Sequence, residues 1–508
     1  MSVTFARTCG AVLAYGLATQ TAWADLSAND VWSDWRAYLA SVGYEITGDE
    51  STSGDTLTIR NFVANMDIPE EEGSVRFEAE ELTLAGKADG TVSITFPDRM
   101  PLLIDLEVEE GELITVEVGY SHSGAALTAS GSPDDITYDY SASEIAVSLD
   151  SVTAEGTPVP SDLAHLNVRI ANVATTTQMK LGEMRDYNQT MSADAVTYDA
   201  KFGNPETDAR IEANGKIDGL AFSGTGMIPI NLDPSKVDEL FSSGFSFDGA
   251  FTYAGGSSAL QGTGNGEEFG YNSTSTGGKL GVSMDNGHLG YDVSQSGVAI
   301  SATSNELPFP VDMAAAAMGF KLDMPTAKSE EPQDFSLAVN VSDFTMSDMI
   351  WGIFDPSQAL PRDPASVLLD LSGKATVLFD LMNPADAAMM EDSGANPGEL
   401  NALSINNLLV SLVGATLTGT GDFTFDNSDL TSFDGVPAPT GVANLKLAGA
   451  NSLIDKLIGM GMMSDSDAMG ARMMMGMLGV PGEEPDTLTS KIEITGDGQI
   501  LANGQRIK

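Results

Sequence analysis

Three histidines, His122, His165 and His288, are the side chains best suited to move a proton near neutral pH, and they lie far apart in the sequence. None has a His or Cys partner at metal-ligand spacing. Each falls in a strand-like or turn-like context, where a satisfied or surface imidazole is the expectation. Adjacent carboxylates such as Asp134-Asp135 and Glu109-Glu110 have the chemistry for acid–base work. A chain with 73 acidic residues produces such pairs by chance, so they carry little signal. No Gly-x-Ser-x-Gly elbow, phosphate-binding loop, zincin motif or EF-hand loop is present. Asp285-Asn286-Gly287-His288 opens like a calcium loop but lacks the later acidic ligand. The expectation is a non-enzyme with no catalytic residue, metal or cofactor.

Two features rise above that background. Leu360-Pro-Arg-Asp-Pro-Ala365 places Arg362 between prolines that fix the backbone. Arg362 reads either as an anion-binding group or as a structural turn whose guanidinium pairs with a buried carboxylate, and the structural reading is preferred. The second feature is a run of methionines from Met460 to Met477. Methionine is flexible and polarizable, which suits a surface holding apolar partners without a unique fit. Met462, Met463, Met473, Met474 and Met477 are the candidate wall of an apolar-ligand site, with lipid or acyl chains as the partner. The plainer reading is a helix covering the open face of a sheet. Copper binding ranks below both, because the spacing of these residues in the sequence is irregular.

These residues need elements to position them. Residues 25–43 read as one amphipathic helix: Ser27 and Asp30 form a capping-box pattern, and Val31, Trp32, Trp35, Tyr38, Leu39 and Val42 recur at helical spacing. Residues 44–240 change to a period of two. Ile114, Val116, Val118 and Tyr120 alternate with polar or small residues, as do Val92, Ile94 and Phe96, so antiparallel strands with one apolar face are predicted. Turns are expected at Ala88-Asp89-Gly90, Glu109-Glu110-Gly111, Ser132-Pro133-Asp134 and Asn214-Gly215. Residues 241–305 contain three similar units opening at Phe251, Phe269 and Leu289. They read as a meander with two strands per unit, aromatics on one face and small residues on the other. Tyr253, Tyr271 and Tyr291 are expected at equivalent places.

Residues 306–508 form a C-terminal β region with helices. Short helices are predicted at Asp312–Phe320 and Ser347–Phe354, and strands at Val367–Leu371, Ala375–Leu381, Leu408–Val413, Leu417–Phe425 and Ala443–Leu447. A methionine-rich helical pair from Ser452 to Leu478 is expected to lie on the apolar face of the C-terminal sheet. A last hairpin turns at Asp497-Gly498.

Residues 1–24 look like a secretory leader. Arg7 precedes an apolar stretch from Gly10 to Ala18, and Ala22 and Ala24 are the small residues read at cleavage, predicted after Ala24. Cys9, the single cysteine, leaves with it, so no disulfide is expected. The net charge of −49 argues against nucleic acid as a partner and favours a dispersed, solvated surface. No second apolar run is long enough for a membrane span.

The tract Trp351-Gly-Ile-Phe-Asp-Pro356, with Leu360–Ala365, Asp370–Gly373, Gly419–Phe425, Asn451–Lys456 and Ala502–Arg506, resembles a family of exported proteobacterial proteins called domain of unknown function 2125. The resemblance runs from the post-leader helix to the C-terminus. It implies large β-sheets with packed helices, broadly similar to AsmA-type envelope proteins linked to lipid movement, and brings no catalytic residues with it. The chain is therefore expected to be mainly β, with a large twisted antiparallel sheet and a few amphipathic helices on its apolar face. The expected location is the periplasm, with secretion or outer-membrane association as the alternative. The expected role is a non-enzymatic groove or scaffold contacting lipid. An adhesive β protein is the alternative, and a hydrolase without a recognisable motif comes third.

Overall fold

The computed structural model describes residues 26–68, 73–108, 112–204, 207–230, 243–264, 266–285 and 287–508. The expected leader and cleavage site, Cys9, the turn expected at Glu109-Glu110-Gly111, and Asn286 lie outside them. The described chain is mainly β, with 27 strands in one antiparallel sheet and five helices. Helix α1 (Ala28–Ser41) comes first, then β1 to β5 (Glu45–Ser53, Thr56–Ile68, Gly73–Gly86, Val92–Thr95, Arg99–Val108). Strands β6 to β9 (Glu112–Ser123, Ala126–Ser132, Asp135–Ala154, Thr157–Pro158) lead into β10 to β12 (Ala164–Leu181, Met184–Gly203, Arg210–Pro229). Strands β13 to β16 are short (Ser246–Tyr253, Gly255–Gly264, Glu267–Ser275, Gly277–Met284), and β17 to β19 are long again (His288–Ser304, Val311–Pro325, Gln333–Met346). Next come α2 (Asp348–Phe354), β20 (Ala365–Val377), α3 (Pro384–Ser393) and β21 to β23 (Gly398–Leu412, Ala415–Asp426, Ala438–Ala448). The chain ends with α4 (Ala450–Gly459), α5 (Asp465–Leu478) and β24 to β27 (Val480–Pro481, Thr487–Ile494, Ile500–Ala502, Gln505–Arg506).

Strand order follows chain order, with one complication that explains the short strands. β12 pairs with β14 through residues 210–218 and with β13 through residues 221–227. β15 and β16 both pair with β17. Thus β13 with β14, and β15 with β16, are the halves of single crossings broken in the middle; β4 and β5 divide β3 in the same way.

The breaks belong to a line of kinks. Asn61, Asn172, Gly219, Gly297 and Asp343 sit inside β2, β10, β12, β17 and β19 with φ between 50° and 60°. A left-handed residue interrupts the two-residue alternation of a strand, and the apolar positions change parity in step. Leu57 and Ile59 precede Asn61, Phe62 and Ala64 follow it, and all four enter one core. The apolar residues therefore stay on one face across the kink. The Asn61 side-chain amide donates to Asp49 and that of Asn172 to Asp194, each at 2.8 Å, fixing the bend from the neighbouring strand.

Helix α1 starts with the capping box of Ser27 and Asp30 and buries Val31 and Trp32 against this core. Helix α2 stops at Asp355-Pro356, and the methionine-rich pair and the last hairpin form where the spacing places them. Four expectations are overturned. Asp312–Phe320 is strand β18, not a helix: pairing with β17 and β19 on both sides overrides the helix propensity of its alanines. The first two units of the meander hold two strands each, as expected, but the breaks at 254–255 and 276–277 are kinks within one crossing of the sheet and not reversals between neighbouring strands. Asn214-Gly215 is inside β12, not a turn. The strand expected to reach Leu381 ends at Val377.

Candidate apolar track

Cross-strand register joins the apolar positions into one row that runs perpendicular to the strands. It begins at Leu57 and passes through Leu84, Ile94, Leu127 and Tyr140 to Thr175, Met191 and Phe222. From Phe222 it continues through Phe251, Leu280, Val293, Phe320 and Val339. It ends through Leu369, Leu408, Gly419 and Leu445. At roughly 4.8 Å per strand, such a row is on the order of 70–80 Å long. A parallel row runs Tyr291–Leu322–Leu337–Leu371–Ile405, and another Met318–Val341–Val367–Val410–Leu417.

The opposite face is mostly polar, with the Leu368–Leu409 pair as an apolar exception. Thr128, Asp139, Thr176 and Thr190 are in register there, and the Thr176 hydroxyl donates to Asp139 at 2.7 Å.

Ring-on-glycine pairs lie on both sides of the kink line, Tyr253–Gly278 beside the track and the other two beyond the kink. A Cβ at Gly278 would meet the Tyr253 ring at 2.5 Å, one at Gly262 would meet Phe269 at 2.1 Å, and one at Gly215 would meet the Tyr198 hydroxyl at 2.4 Å. Each glycine is the direct cross-strand partner of its ring. An aromatic ring can therefore lie flat where the neighbour has no side chain. Gly262 and Gly278 thus share a face with the rings, whereas Gly270 and Gly290, which alternate with Phe269, Tyr271 and Tyr291, lie on the other face as expected. Tyr253 and Tyr291 lie on apolar rows on one side of the kink line and Tyr271 on the other, so the three are not equivalent.

Burial along the row changes from end to end. Leu57, Leu84 and Ile94 are buried in the core that contains Val31 and Trp32 of α1. Farther on, Phe251, Leu280, Val293 and Phe320 are 43%, 47%, 37% and 42% exposed. Beyond the kink, Phe202, Ile211 and Phe269 line a hollow of about 590 Å³, and Ile300, Met313 and Met346 line another of about 460 Å³.

Helix α1 closes the first end and is tied down by contacts distant in sequence. Arg185 on β11 forms a two-pronged pair with Asp34 at 2.6 and 3.2 Å, both side chains being 7% exposed. Its guanidinium also lies 4.9 Å over the Tyr38 ring. The Trp35 indole donates to the Tyr138 hydroxyl at 3.1 Å and that of Trp32 to Glu50 at 2.9 Å. Burial, followed by the Asp34 charge, raises the Tyr138 phenol above its ordinary value. The sequence reading missed this pair. Its signal was present: Asp34 borders the apolar stripe of α1, and Arg185 shares strand parity with Tyr187 and Met191.

At the other end, α5 meets the continuation of the rows. Ser490 and Leu488 pair with Leu445 and Leu447, and the Leu478 carbonyl accepts from Ser490 Oγ at 2.6 Å and Asn503 Nδ2 at 2.9 Å. Helix α4 is capped by Asp486, which accepts from Asn451 and Ser452. Of the candidate wall residues, Met462, Met473, Met474 and Met477 are 56%, 71%, 58% and 54% exposed, whereas Met463 is half-buried.

Arg362 belongs to a separate corner. Its guanidinium pairs with the exposed Asp348, donates to the Asp355 carbonyl at 3.4 Å and lies 5.3 Å over Trp351. The buried Asp355 carboxylate instead accepts from the Ala359 and Leu360 amides at 2.9 and 3.0 Å. Burial pushes that carboxyl up, but these amides, the Ser357 hydroxyl and the Arg362 charge hold it below its usual value. The arrangement is an internally bonded turn, although the buried Arg362 Nε and Ser347 Oγ have no hydrogen-bond partner in it.

His122 touches the Pro97 carbonyl, His165 pairs with Asp199 and His288 with Asp323. Among the described residues no group of three or more His, Cys, Asp or Glu side chains could hold a metal, and no helix is long and apolar enough to cross a membrane. No protein-family model, curated protein or solved structure matches the chain.

Proposed function

We propose that this is a non-enzymatic protein of the periplasm whose sheet holds lipid acyl chains along its apolar track. The observation that supports this reading is the cross-strand row from Leu57 to Leu445, apolar except at Thr175 and Gly419, covered by α1 at one end and open through Phe251, Leu280, Val293 and Phe320. A contiguous apolar strip of this length is larger than the patches monomers leave to water. The Tyr253 ring, laid on Gly278 beside it, keeps that stretch flat, as an extended chain without fixed polar groups requires. The acidic polar face keeps such a protein dispersed while the strip is occupied.

Native mass spectrometry of the protein purified from its own periplasm tests the reading. Acyl lipids carried through purification and recovered by extraction are expected. A clean apo mass under conditions that retain lipid on a known carrier would leave a scaffold or adhesive role in its place.

A further inference from the structure

Strands β17, β19, β21 and β23 end, and β18, β20, β22 and β25 begin, along one margin of the sheet. The connections at that margin carry α2 and the α4–α5 pair. Both flank the turn between β21 and β22. A Cβ at Gly414 in this turn would meet the Pro361 ring at 3.1 Å, and one at Gly449, the N-cap of α4, would meet the Gly414 carbonyl. Each helix turns apolar side chains away from the protein. Trp351 of α2 is buried, whereas Met349 and Ile353, about one turn apart, are 52% and 71% exposed. Ala468 of α5 is buried, whereas Met469 and Met473 are 69% and 71% exposed and Met475 is half-buried. Asp465 begins the same stripe of α5, so its apolar part starts at Met469. Leu412, the last residue of β21, is exposed on the face of Leu408 and Val410, so the apolar face of the sheet reaches this margin.

Charge narrows what covers these side chains. The two arginines of the margin are engaged, Arg362 with Asp348 and Arg472 with Asp455. Asp363, Asp465 and Asp467 add negative charge beside them. A second copy would bring the same acidic margin against itself, and an anionic membrane would be repelled likewise. A zwitterionic bilayer takes up apolar side chains by depth, without a counter-charge or a matched shape, and flexible methionines suit such a medium. No described helix is long and apolar enough to cross a membrane, so the contact would be interfacial. We propose that Met349, Ile353, Met469 and Met473 dock this margin on a zwitterionic lipid bilayer, with their side chains below the headgroups. The surface stands without the acyl-chain reading. Where both hold, Leu412 joins the docked margin to the apolar face that carries the track.

The test is flotation of the protein purified from its own periplasm with phosphatidylcholine vesicles. Wild type is compared with one variant carrying Met349→Gln, Ile353→Gln, Met469→Gln and Met473→Gln. All four side chains are more than half exposed, so the circular dichroism spectrum should not change. Partitioning of the variant should fall at least about 10-fold. Vesicles containing half phosphatidylglycerol should bind wild type no more tightly at low salt. On phosphatidylcholine vesicles, hydrogen exchange of wild type should slow in α2 and α5 and not in α3 at the opposite margin, which decides the question even if the variant does not fold. No flotation, slowing in α3 instead, tighter binding to phosphatidylglycerol or a folded variant that partitions equally would overturn the surface. So would slowing in α2 and α5 that grows with protein concentration alone, which would point to a second copy. Docking by a protein that carries no lipid in native mass spectrometry would remove the acyl-chain reading alone, and carried lipid without docking would remove only the surface.

Discussion

Replacing Arg185 with methionine should loosen α1 while leaving the sheet folded. Methionine retains much of the apolar stem and removes the charge that faces Asp34. The carboxylate is then left 7% exposed, without the two bonds of 2.6 and 3.2 Å that satisfied it. Stranding one member of a buried pair costs about 3–5 kcal/mol, or roughly 150- to 5000-fold in an equilibrium. The helix keeps other anchors: Trp32 is buried, and truncating such a ring costs a similar ~3–5 kcal/mol. The expected result is a helix that stays docked but opens more often. In hydrogen exchange, amides of residues 32–41 should exchange at least about 100-fold faster, and those of β17 to β20 should not change. Adding Asp34→Leu should recover most of the loss, because a packed apolar pair replaces a buried ion pair at little cost. Exchange within about 3-fold of wild type in the single variant, or a double variant no better than the single, would refute the role assigned to the pair.

Asn172 occupies φ 51°, and its amide bonds Asp194. Asn172→Val should therefore lower stability in urea by about 2 kcal/mol, and Asn172→Gly by clearly less, since only valine resists the left-handed region. Tyr271 pairs with Leu260 and Ala302 on a half-exposed face, so Tyr271→Ala should cost about 1–2 kcal/mol, below the figure for a fully covered ring. Hydrogen bonds from the Ser432 hydroxyl and amide and from Thr431 hold the Asp429 carboxyl down at about 2, against 3.8 for the free group. A folded value below the unfolded one means the loop gains stability above the unfolded value and loses it as pH falls through the folded value. Limited proteolysis with an acid-active protease should find residues 427–437 protected near pH 4 and cut near pH 2. Equal cutting at both would contradict the assignment.

The fold class was legible because alternation is local: Ile114, Val116 and Val118 read as a strand whatever they pair with. The start of α1 was legible for the same reason, since Ser27 and Asp30 cap each other within one turn. Asp312–Phe320 misled because alanine favours a helix until two neighbouring strands claim its backbone. Glycine misled because it serves two purposes here. Gly219 and Gly297 supply the left-handed kink, whereas Gly215 and Gly278 make room for a ring, and both look like turn signals in a sequence. The methionines of α5 could be singled out by type, but their sorting into exposed and half-buried sets depends on where the helix lies. The track itself is a property of register. Phe251, Leu280, Val293 and Phe320 are unremarkable singly, and no local rule puts them side by side. Arg185 and Asp34 are 151 residues apart, so only the assembled sheet pairs them.

The central claim is that acyl chains lie on one face of the sheet and not on the other. Val293 and Ser294 are adjacent on β17, the first on the apolar row and the second on the polar face. A photoreactive amino acid placed at each position in living cells, followed by irradiation and analysis of the purified chain, compares the two faces directly. Lipid adducts are expected at Val293 and none at Ser294. Equal adducts at both positions, or none at Val293 in a folded protein, would contradict it.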